Sequence, residues 1–308
     1  MTITNASKPH ARGKINESEI KLLCEEVLTN EPMSRHTSFG IGGPADFLAF
    51  PKTSVELVNI WNACKEDGMP ITVLGDGQNV LVCDDGIRGV VVFTNKMSAI
   101  EICDNSRIRA QSGVRLSSLA IAAAGANLDG LAFASGIPGT VGGAIFMNAG
   151  AYQHEISEFI ESVTLFIGGE SVTKTRDEMQ FGYRKSFVQT GEMLILDAVF
   201  QLAPGDEKSI RAEMADLNTR RKRSQPLEYR SAGSFFKRPQ GNYAGKLIED
   251  SGLKGFRIGD AQVAEKHAGF VINRGSATAA DVIALMHHVQ KTVHEKFGVR
   301  LEPEVQIL

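Results

Sequence analysis

The chain has 308 residues, of which 43% are hydrophobic and 22% are charged. This composition is typical of a globular protein with two or three domains and a large core, so neither a metal nor a disulfide is needed to stabilise it. A net charge of −3 argues against a protein that binds nucleic acid through bulk electrostatics. The 31 glycines, about one residue in ten, exceed the usual ~7%, and sixteen of them fall between Gly40 and Gly150.

Targeting, membrane and metal signals are weak. No apolar run approaches the ~18 residues of a membrane-spanning helix, and residues 1–14 lack the apolar segment of a secretory signal. We expect these residues to form a disordered leader and the protein to be cytoplasmic, with no membrane partner. The four cysteines form no CxxC pair, and we interpret them as reduced core residues rather than metal ligands.

Two helices are predicted near the N-terminus. Asn16 and Glu19 match a capping box, and the apolar stripe that follows includes Val27 and Leu28, which predicts a helix over residues 16–30. The second helix begins near Thr53 and is stopped by Gly68, with Leu57, Ile60, Trp61 and Cys64 facing inward.

Short strands and one small helix follow. The predicted strands are ITVL, VLVC, GVVVFT, RIRAQSG and LILDAVFQL, and the helix is LSSLAIAAAGA. Many short strands with few long helices predict an α+β fold.

The last third of the chain begins near the boundary that we predict at Ala203-Pro204-Gly205. A helix follows over residues 206–224, and a longer one runs from Thr278 to Phe297 and is stopped by Gly298. The terminal VRLEPEVQIL is predicted to be a strand whose alternation places Arg300, Glu302 and Glu304 on one face.

Two glycine-rich segments point to a phosphate-containing ligand. GDGQN at residues 75–79 resembles a dinucleotide fingerprint, but it lacks the third glycine and precedes a strand, so a Rossmann site is rejected. The second segment, residues 135–152, contains five glycines and no charged residue before Tyr152. Such loops turn successive backbone N–H groups toward one point and form an anion-binding nest, although a tight connecting loop would look the same. Two of them in one half of the chain favour a large nucleotide cofactor.

The order of the motifs resembles a known enzyme family. GDGQN and SGIPGTVGGAIFMNAGAY together resemble the FAD-binding half of the vanillyl-alcohol-oxidase-type (PCMH-like) fold. RHTSFGIGGPADFLAFP, YRKSF, LEYRSAGSFFKRP, AGKLIEDSGLKGFRIGDAQVAEKHAGFVIN and LEPEV resemble the UDP-N-acetylenolpyruvoylglucosamine reductases of bacterial peptidoglycan synthesis. The resemblance runs from about residue 34 to the C-terminus and fits the shorter type, which lacks an inserted loop.

The resemblance implies a domain organisation and a cofactor. It implies a leader and helix over residues 1–33, an FAD-binding domain over 34–205, and an α+β substrate domain over 206–308 whose last strand returns to the active site. FAD would be bound non-covalently and NADPH would supply the hydride. The cofactor-binding residues that it implies are Gly75, Gly77, Gln78, Asn79, Pro138, Gly139, Thr140, Gly142, Gly143 and Ala144.

The resemblance also implies three catalytic residues. Ser234 of SAGSFFK matches the proton donor, which would need a neighbour such as Lys237 to assist it. Arg184 of YRKSF would bind the enolpyruvyl carboxylate, and Glu304 of LEPEV would orient the arginine or the substrate. Tyr183, Lys237, Arg238 and His267 are the implied substrate-binding residues.

This chain departs from the family at three positions. Gln78 stands where serine is usual and reaches further toward a phosphate, Arg230 replaces a common proline, and Arg238 replaces a common asparagine. The basic run over residues 220–223 suits the C-terminal end of a helix, and we expect Arg223 to be the member that reaches a phosphate of FAD or substrate.

Two other functions fit the same scaffold. One is an FAD-dependent alcohol or hydroxy-acid oxidase that uses oxygen, and the other is a nucleotide-sugar-binding protein without activity. The charged and proton-donating groups of YRKSF, SAGSFFK and LEPEV favour the reductase, which we expect to be a monomer.

Overall fold

Residues 15–308 are described by the computed structural model of the chain; the predicted leader at 1–14 lies outside them. The described residues contain seven α-helices: α1 (Glu17–Leu23), α2 (Ser54–Asp67), α3 (Leu116–Gly125), α4 (Val141–Met147), α5 (Glu207–Ser224), α6 (Ala244–Asp250) and α7 (Ala279–Phe297). Their strands are β1 (Val27–Pro32), β2 (Pro44–Ala49), β3 (Ile71–Leu74), β4 (Val80–Leu81), β5 (Ile87–Phe93), β6 (Ile100–Cys103), β7 (Arg107–Gln111), β8 (Leu128–Asp129), β9 (Gly150–Ala151), β10 (His154–Glu155), β11 (Ile160–Ile167), β12 (Glu170–Thr175), β13 (Leu194–Gln201), β14 (Ala203–Pro204), β15 (Arg230–Ser234), β16 (Arg257–Ile258), β17 (Ala261–Val263), β18 (Phe270–Asn273) and β19 (Gln306–Ile307).

The first unit is a four-stranded sheet in the order β1-β2-β5-β3. β2, β5 and β3 are parallel, because α2 provides the crossover between β2 and β3, while β1 is antiparallel to β2. Helix α2 begins at the N-cap Thr53 and ends at the left-handed Gly68, as predicted. Its buried residues Leu57, Ile60 and Cys64 enter the core of this sheet, while Trp61 is only partly buried.

The predicted helix over residues 16–30 is wrong in its second half. The capping box of Asn16 and Glu19 is present, but α1 ends at Leu23. Val27 and Leu28 lie in β1 and pair with β2. The reason is tertiary: the cross-strand pairing and burial of Val27 against the sheet outweigh the helical spacing of the apolar residues.

The second unit is a five-stranded antiparallel sheet in the order β12-β11-β13-β7-β6. Helices α3, α4 and α5 contribute buried residues to one hydrophobic core with this sheet, and α5 supplies Ile210, Met214 and Leu217. That core therefore continues beyond the predicted boundary at residues 205 and 206. The division stays a proposal, and the packing of α5 favours placing it nearer to Ser224.

The third unit contains the antiparallel sheet β15-β18-β17-β16 with α6 and α7 packed against it. Helix α7 has a capping box between Thr278 and Asp281 and ends at the left-handed Gly298, so both predicted bounds are confirmed. Asp84 of the first unit accepts hydrogen bonds from the N–H groups of Ala279 and Ala280, which joins the two units at the start of α7.

The C-terminal segment returns to the first unit. Only Gln306 and Ile307 form a strand, which pairs in parallel with β4 directly after the GDGQN loop. The longer strand predicted over residues 299–308 is wrong, because Pro303 makes a single bridge with Phe236 and only the last residues reach a partner strand.

Residues 15–308 contain neither a candidate membrane-spanning helix nor a candidate metal cluster. Among residues 15–308, no helix combines the length and apolar character needed to cross a membrane. The same residues contain no cluster of three or more His, Cys, Asp or Glu side chains suited to a metal ion.

Candidate active site

One cavity of about 870 Å³ lies where the three units meet. It is lined by the predicted catalytic residues Arg184, Ser234 and Glu304, by all ten glycine-loop residues predicted to bind the cofactor, and by Tyr183, Arg238 and His267. Lys237 and Arg223 are the two predicted site residues that do not line it. Sequence segments more than 200 residues apart therefore converge on one space.

The first glycine loop connects β3 to β4 over residues 75–79. Within the described part of the chain, no backbone N–H of this loop donates to a protein oxygen, so the loop presents a row of free donors. Gly77 has a φ of +62°, and a Cβ there would overlap with the carbonyl oxygen of His36. The loop follows a strand and precedes another, which confirms the reading against a Rossmann helix.

The amide side chains of Gln78 and Asn79 donate hydrogen bonds to backbone oxygens of the protein. Nε2 of Gln78 donates to the backbone oxygen of Asp76 at 3.1 Å, so this amide is engaged within the loop rather than held out toward a phosphate. Nδ2 of Asn79 donates to the backbone carbonyl oxygen of Glu304 at 3.2 Å. The backbone carbonyl oxygen of Asn79 accepts the N–H of Gln306 at 3.0 Å. The loop is thereby tied to the segment that carries Glu304.

The second glycine loop leads into α4. Thr140 caps this helix, and the N–H groups of Gly139 and Thr140 have no protein acceptor within residues 15–308. A Cβ at Gly142 would stand 3.0 Å from Cβ of Ser112, and one at Gly75 would overlap with Oγ1 of Thr140. The two glycine loops are thus in direct contact, and side chains are excluded where they meet.

The basic run at the end of α5 contributes a different arginine from the one predicted. Arg221 lines the cavity, whereas Arg223 is exposed and does not. Burial lowers the pKa of the Arg221 guanidinium, which nevertheless stays protonated at neutral pH. The correction follows from helix geometry, since residues two apart lie on different faces of α5.

Arg184 lies in a tight turn. Gly182 and Lys185 exchange two backbone hydrogen bonds of 3.0 Å, and Arg184 between them has a φ of +55°. This left-handed conformation is uncommon for a non-glycine residue and costs about 1–3 kcal/mol, so other contacts must stabilise it.

The guanidinium of Arg184 is held between two segments. Nε donates to Oε1 of Glu304 at 2.7 Å and Nη1 donates to the carbonyl oxygen of Asn148 at 3.2 Å. The side chains of Arg184 and Glu304 are only 16% and 15% exposed. Burial raises the pKa of Glu304, although the charge of Arg184 and its hydrogen bond oppose this shift. Nη2 of Arg184 has no partner within residues 15–308, which leaves donors for an anion.

Ser234 lies at the end of β15, next to Gly233, whose φ is +81°. Its backbone pairs with Phe270 of β18 after an irregularity in the register. The residue is exposed to the cavity, and within the described residues its hydroxyl makes no hydrogen bond. Lys237 does not line the cavity and pairs with Glu302 at 3.6 Å, so its contact with substrate stays a prediction.

The outer part of the cavity is aromatic and basic. The hydroxyl of Tyr183 accepts the backbone N–H of Arg238 at 2.9 Å, and the Arg238 guanidinium lies 4.0 Å from the ring centroid of Tyr243. Burial lowers the pKa of His267, whose Nδ1 accepts the N–H of Gly269 at 3.2 Å. Nδ1 is therefore unprotonated, and Nε2 carries the hydrogen.

Sequence reasoning missed Arg221, Tyr243 and Asn148. Arg221 belongs to a basic run that was recognised, so helical spacing could have identified it. Asn148 was seen only as part of a glycine-rich segment, and its contact with the turn of Arg184 has no local signal.

The residues present fit an FAD. Two loops with free N–H groups, glycines whose Cβ would collide, and a partly buried arginine provide donors for a diphosphate in the same cavity. Trp61, Phe146 and Leu194 contribute apolar walls for an aromatic ring system.

Comparison with known proteins agrees with this arrangement. A model of the FAD binding domain matches residues 45–176, and a model of the UDP-N-acetylenolpyruvoylglucosamine reductase C-terminal domain matches residues 225–308. The chain is 50% identical to the reductase of that name from Caldanaerobacter subterraneus subsp. tengcongensis and 48% identical to that from Agathobacter rectalis. Each alignment covers 96% of this chain and 99% of the relative.

A solved structure agrees as well. The crystal structure of UDP-N-acetylenolpyruvylglucosamine reductase from Thermus caldophilus superposes with a TM-score of 0.78 at 34% identity, covering 92% of this chain and 98% of that one. The predicted α+β class with the vanillyl-alcohol-oxidase-type FAD fold is thus confirmed. On this combined ground, the chain belongs to the UDP-N-acetylenolpyruvoylglucosamine reductase family.

Proposed function

We propose that the protein reduces the enolpyruvyl group of UDP-N-acetylglucosamine enolpyruvate to the lactyl group of UDP-N-acetylmuramate. The reaction takes place in this cavity, and Arg184, Ser234 and Glu304 are the catalytic residues. NADPH is the hydride donor and FAD is the cofactor. The observation that carries the proposal is that these three residues line the same space as both glycine loops.

The cofactor site is formed by the glycine loops and Arg221. The free N–H groups of residues 75–79, together with those of Gly139 and Thr140, would bind the diphosphate of FAD. When bound, FAD accepts a hydride from NADPH and passes it to the substrate. The protein supplies the orientation, the charge stabilisation and the proton.

Arg184 binds the substrate carboxylate. Its Nε is engaged by Glu304, so the hydrogen-bond donors left on Nη1 and Nη2 suit a planar carboxylate. Hydride addition to the methylene carbon moves an electron pair toward this carboxylate, giving an enediolate-like intermediate. Arg184 is therefore placed where negative charge develops, and Glu304 keeps its guanidinium oriented.

Ser234 protonates the adjacent carbon. Its hydroxyl is free of protein partners in the described chain and faces the cavity, as a donor to substrate requires. The new C–H bond on this carbon completes the reduction. The outer tyrosines, Arg238 and His267 would bind the nucleotide-sugar part.

Membership of the reductase family favours this reaction over the oxygen-using oxidase. A cytoplasmic location and a monomeric state stay predictions of the sequence.

Three spectroscopic measurements test the proposal. The purified protein should contain FAD, lose its visible flavin absorbance when NADPH is added without oxygen, and regain it when the enolpyruvyl substrate is added. Recovery with oxygen but not with substrate would support the oxidase. A protein that takes up no FAD would exclude both enzymes.

A further inference from the structure

Asn148 is the residue that links α4 to the turn of Arg184. It directly follows α4, is 1% exposed and has a left-handed backbone with a φ of +43°. Glycine is the residue that usually ends a helix in this conformation, with asparagine as the alternative. A cap alone therefore does not require the Asn148 side chain, and its contacts identify a second role.

The side chain of Asn148 is fully engaged. Nδ2 donates to Oε2 of Glu155 at 2.8 Å and to the carbonyl oxygen of Gly182 at 3.0 Å, while Oδ1 accepts the N–H of Ser157 at 3.3 Å. The orientation of the amide is unambiguous, because both groups that face Nδ2 are acceptors and the group that faces Oδ1 is a donor.

These contacts fix both ends of Arg184. The bond to Gly182 holds the first residue of the turn, and the carbonyl oxygen of Asn148 accepts Nη1 of Arg184 at 3.2 Å. One buried residue thus holds the backbone that carries the arginine and the head group itself. A left-handed arginine persists only if its surroundings over-determine it, and Asn148 provides two of the contacts that do so.

Neighbouring residues complete the support. Oγ of Ser186 and Nε2 of Gln189 both donate to the carbonyl oxygen of Phe146, and Nε2 also donates to the carbonyl oxygen of Arg184. The end of α4 therefore serves as the platform for this turn, and Asn148 is the only one of these residues that contacts both the turn and the guanidinium of Arg184 within residues 15–308.

We propose that Asn148 is a positioning residue that aims the guanidinium of Arg184 at the substrate carboxylate. The inference rests on the proposed role of Arg184 and adds a residue that does not itself line the cavity. It predicts an effect on the reduction of the enolpyruvyl group and none on the reduction of FAD by NADPH.

The main experiment compares Asn148→Gly with the parent holoenzyme. Glycine keeps the left-handed backbone and the carbonyl acceptor but removes the side chain. We expect FAD content and the rate of flavin reduction by NADPH to stay within about twofold, while the reoxidation of reduced enzyme by substrate slows roughly tenfold or more and the KM for substrate rises. Asn127→Gly is the matched control, since Asn127 follows α3 with a φ of +57° and lies outside the cavity lining.

Asn148→Asp is the second variant, in case Asn148→Gly does not fold. An aspartate keeps the shape but places oxygen against the acceptors of Glu155 and Gly182, so the same step should slow. Equal losses in both half-reactions for the variant that folds would show a structural role and overturn the proposal.

A double-mutant cycle with Arg184→Lys separates the proposal from the function on which it rests. If Asn148 acts through Arg184, Asn148→Gly should cost less than about twofold in the Arg184→Lys background. The same loss in both backgrounds would overturn the positioning role. If Arg184→Lys alone leaves the substrate step unchanged, the proposed role of Arg184 fails instead.

Discussion

Arg184 and Glu304 lie 120 positions apart in the chain, yet Nε of Arg184 donates a 2.7 Å hydrogen bond to Oε1 of Glu304. The pair lines the cavity and joins the second unit to the C-terminal segment. Both side chains are largely buried, so removing either one leaves the charge of the other without compensation. The pair therefore carries consequences for pH dependence and for catalysis.

The ionisation of Glu304 should produce an acid limb in the pH profile of the rate of substrate reduction. Burial raises its pKa above the ordinary value of 4.5. A carboxyl group is ionised above its pKa, so the raised value means that Glu304 loses its charge, and its hold on Arg184, at a higher pH than an ordinary glutamate. We expect the single-turnover rate to fall as the pH drops through this raised pKa.

The variant Glu304→Gln should be slow at all pH values and should lack this limb. Glu302→Gln is the control, because Glu302 has a 75% exposed side chain and, among residues 15–308, forms an ion pair only with Lys237. An acid limb with an unchanged midpoint in Glu304→Gln would assign it to another group.

Ser234→Ala should separate the two half-reactions. Reduction of FAD by NADPH should continue, while reduction of the enolpyruvyl group should slow by about 10²–10⁴, the usual contribution of a general acid. Stopped-flow absorbance of the flavin measures both steps. Ser231→Ala on the same strand is the control, since Ser231 does not line the cavity. Similar losses in both steps would mean that Ser234 is structural.

Gly77→Ala should weaken FAD binding. The substitution meets both a positive φ and an overlap with the carbonyl oxygen of His36, so the loop must move. We expect the dissociation constant of FAD, measured by fluorescence quenching, to rise at least about tenfold, which is ~1.4 kcal/mol. Gly168→Ala isolates the backbone cost, because Gly168 has a φ of +60° with no atom within 4 Å of its Cβ position.

The Gly168→Ala control should lower the free energy of unfolding by about 1–2 kcal/mol and leave the affinity for FAD unchanged. If Gly77→Ala behaves in the same way, the loop does not contact FAD.

Arg221→Gln should weaken FAD binding more than Arg223→Gln. A charge-assisted hydrogen bond contributes about 1.5–3 kcal/mol, so the dissociation constant should rise roughly 10- to 100-fold for Arg221→Gln and little for the exposed Arg223. Titration of both apoproteins with FAD measures the difference. Equal affinities would remove Arg221 from the cofactor site.

Local signals in the sequence determined much of the architecture. Caps and stop signals located α2 and α7, because the N-cap side chain and the left-handed glycine act within one turn of the helix. The glycine loops were recognisable for a similar reason, since close backbone approach and positive φ restrict the residue to glycine over a few positions.

Only the tertiary structure decided the rest. Val27 had helical spacing and became a strand residue, because its pairing with β2 depends on a segment distant in sequence. The orientation of α5 selected Arg221 over Arg223, and Lys237 turned to Glu302. The contact between Arg184 and Glu304, and the support of Asn148 behind it, join segments that local propensity cannot relate, so they exist only once the three units have packed around the cavity.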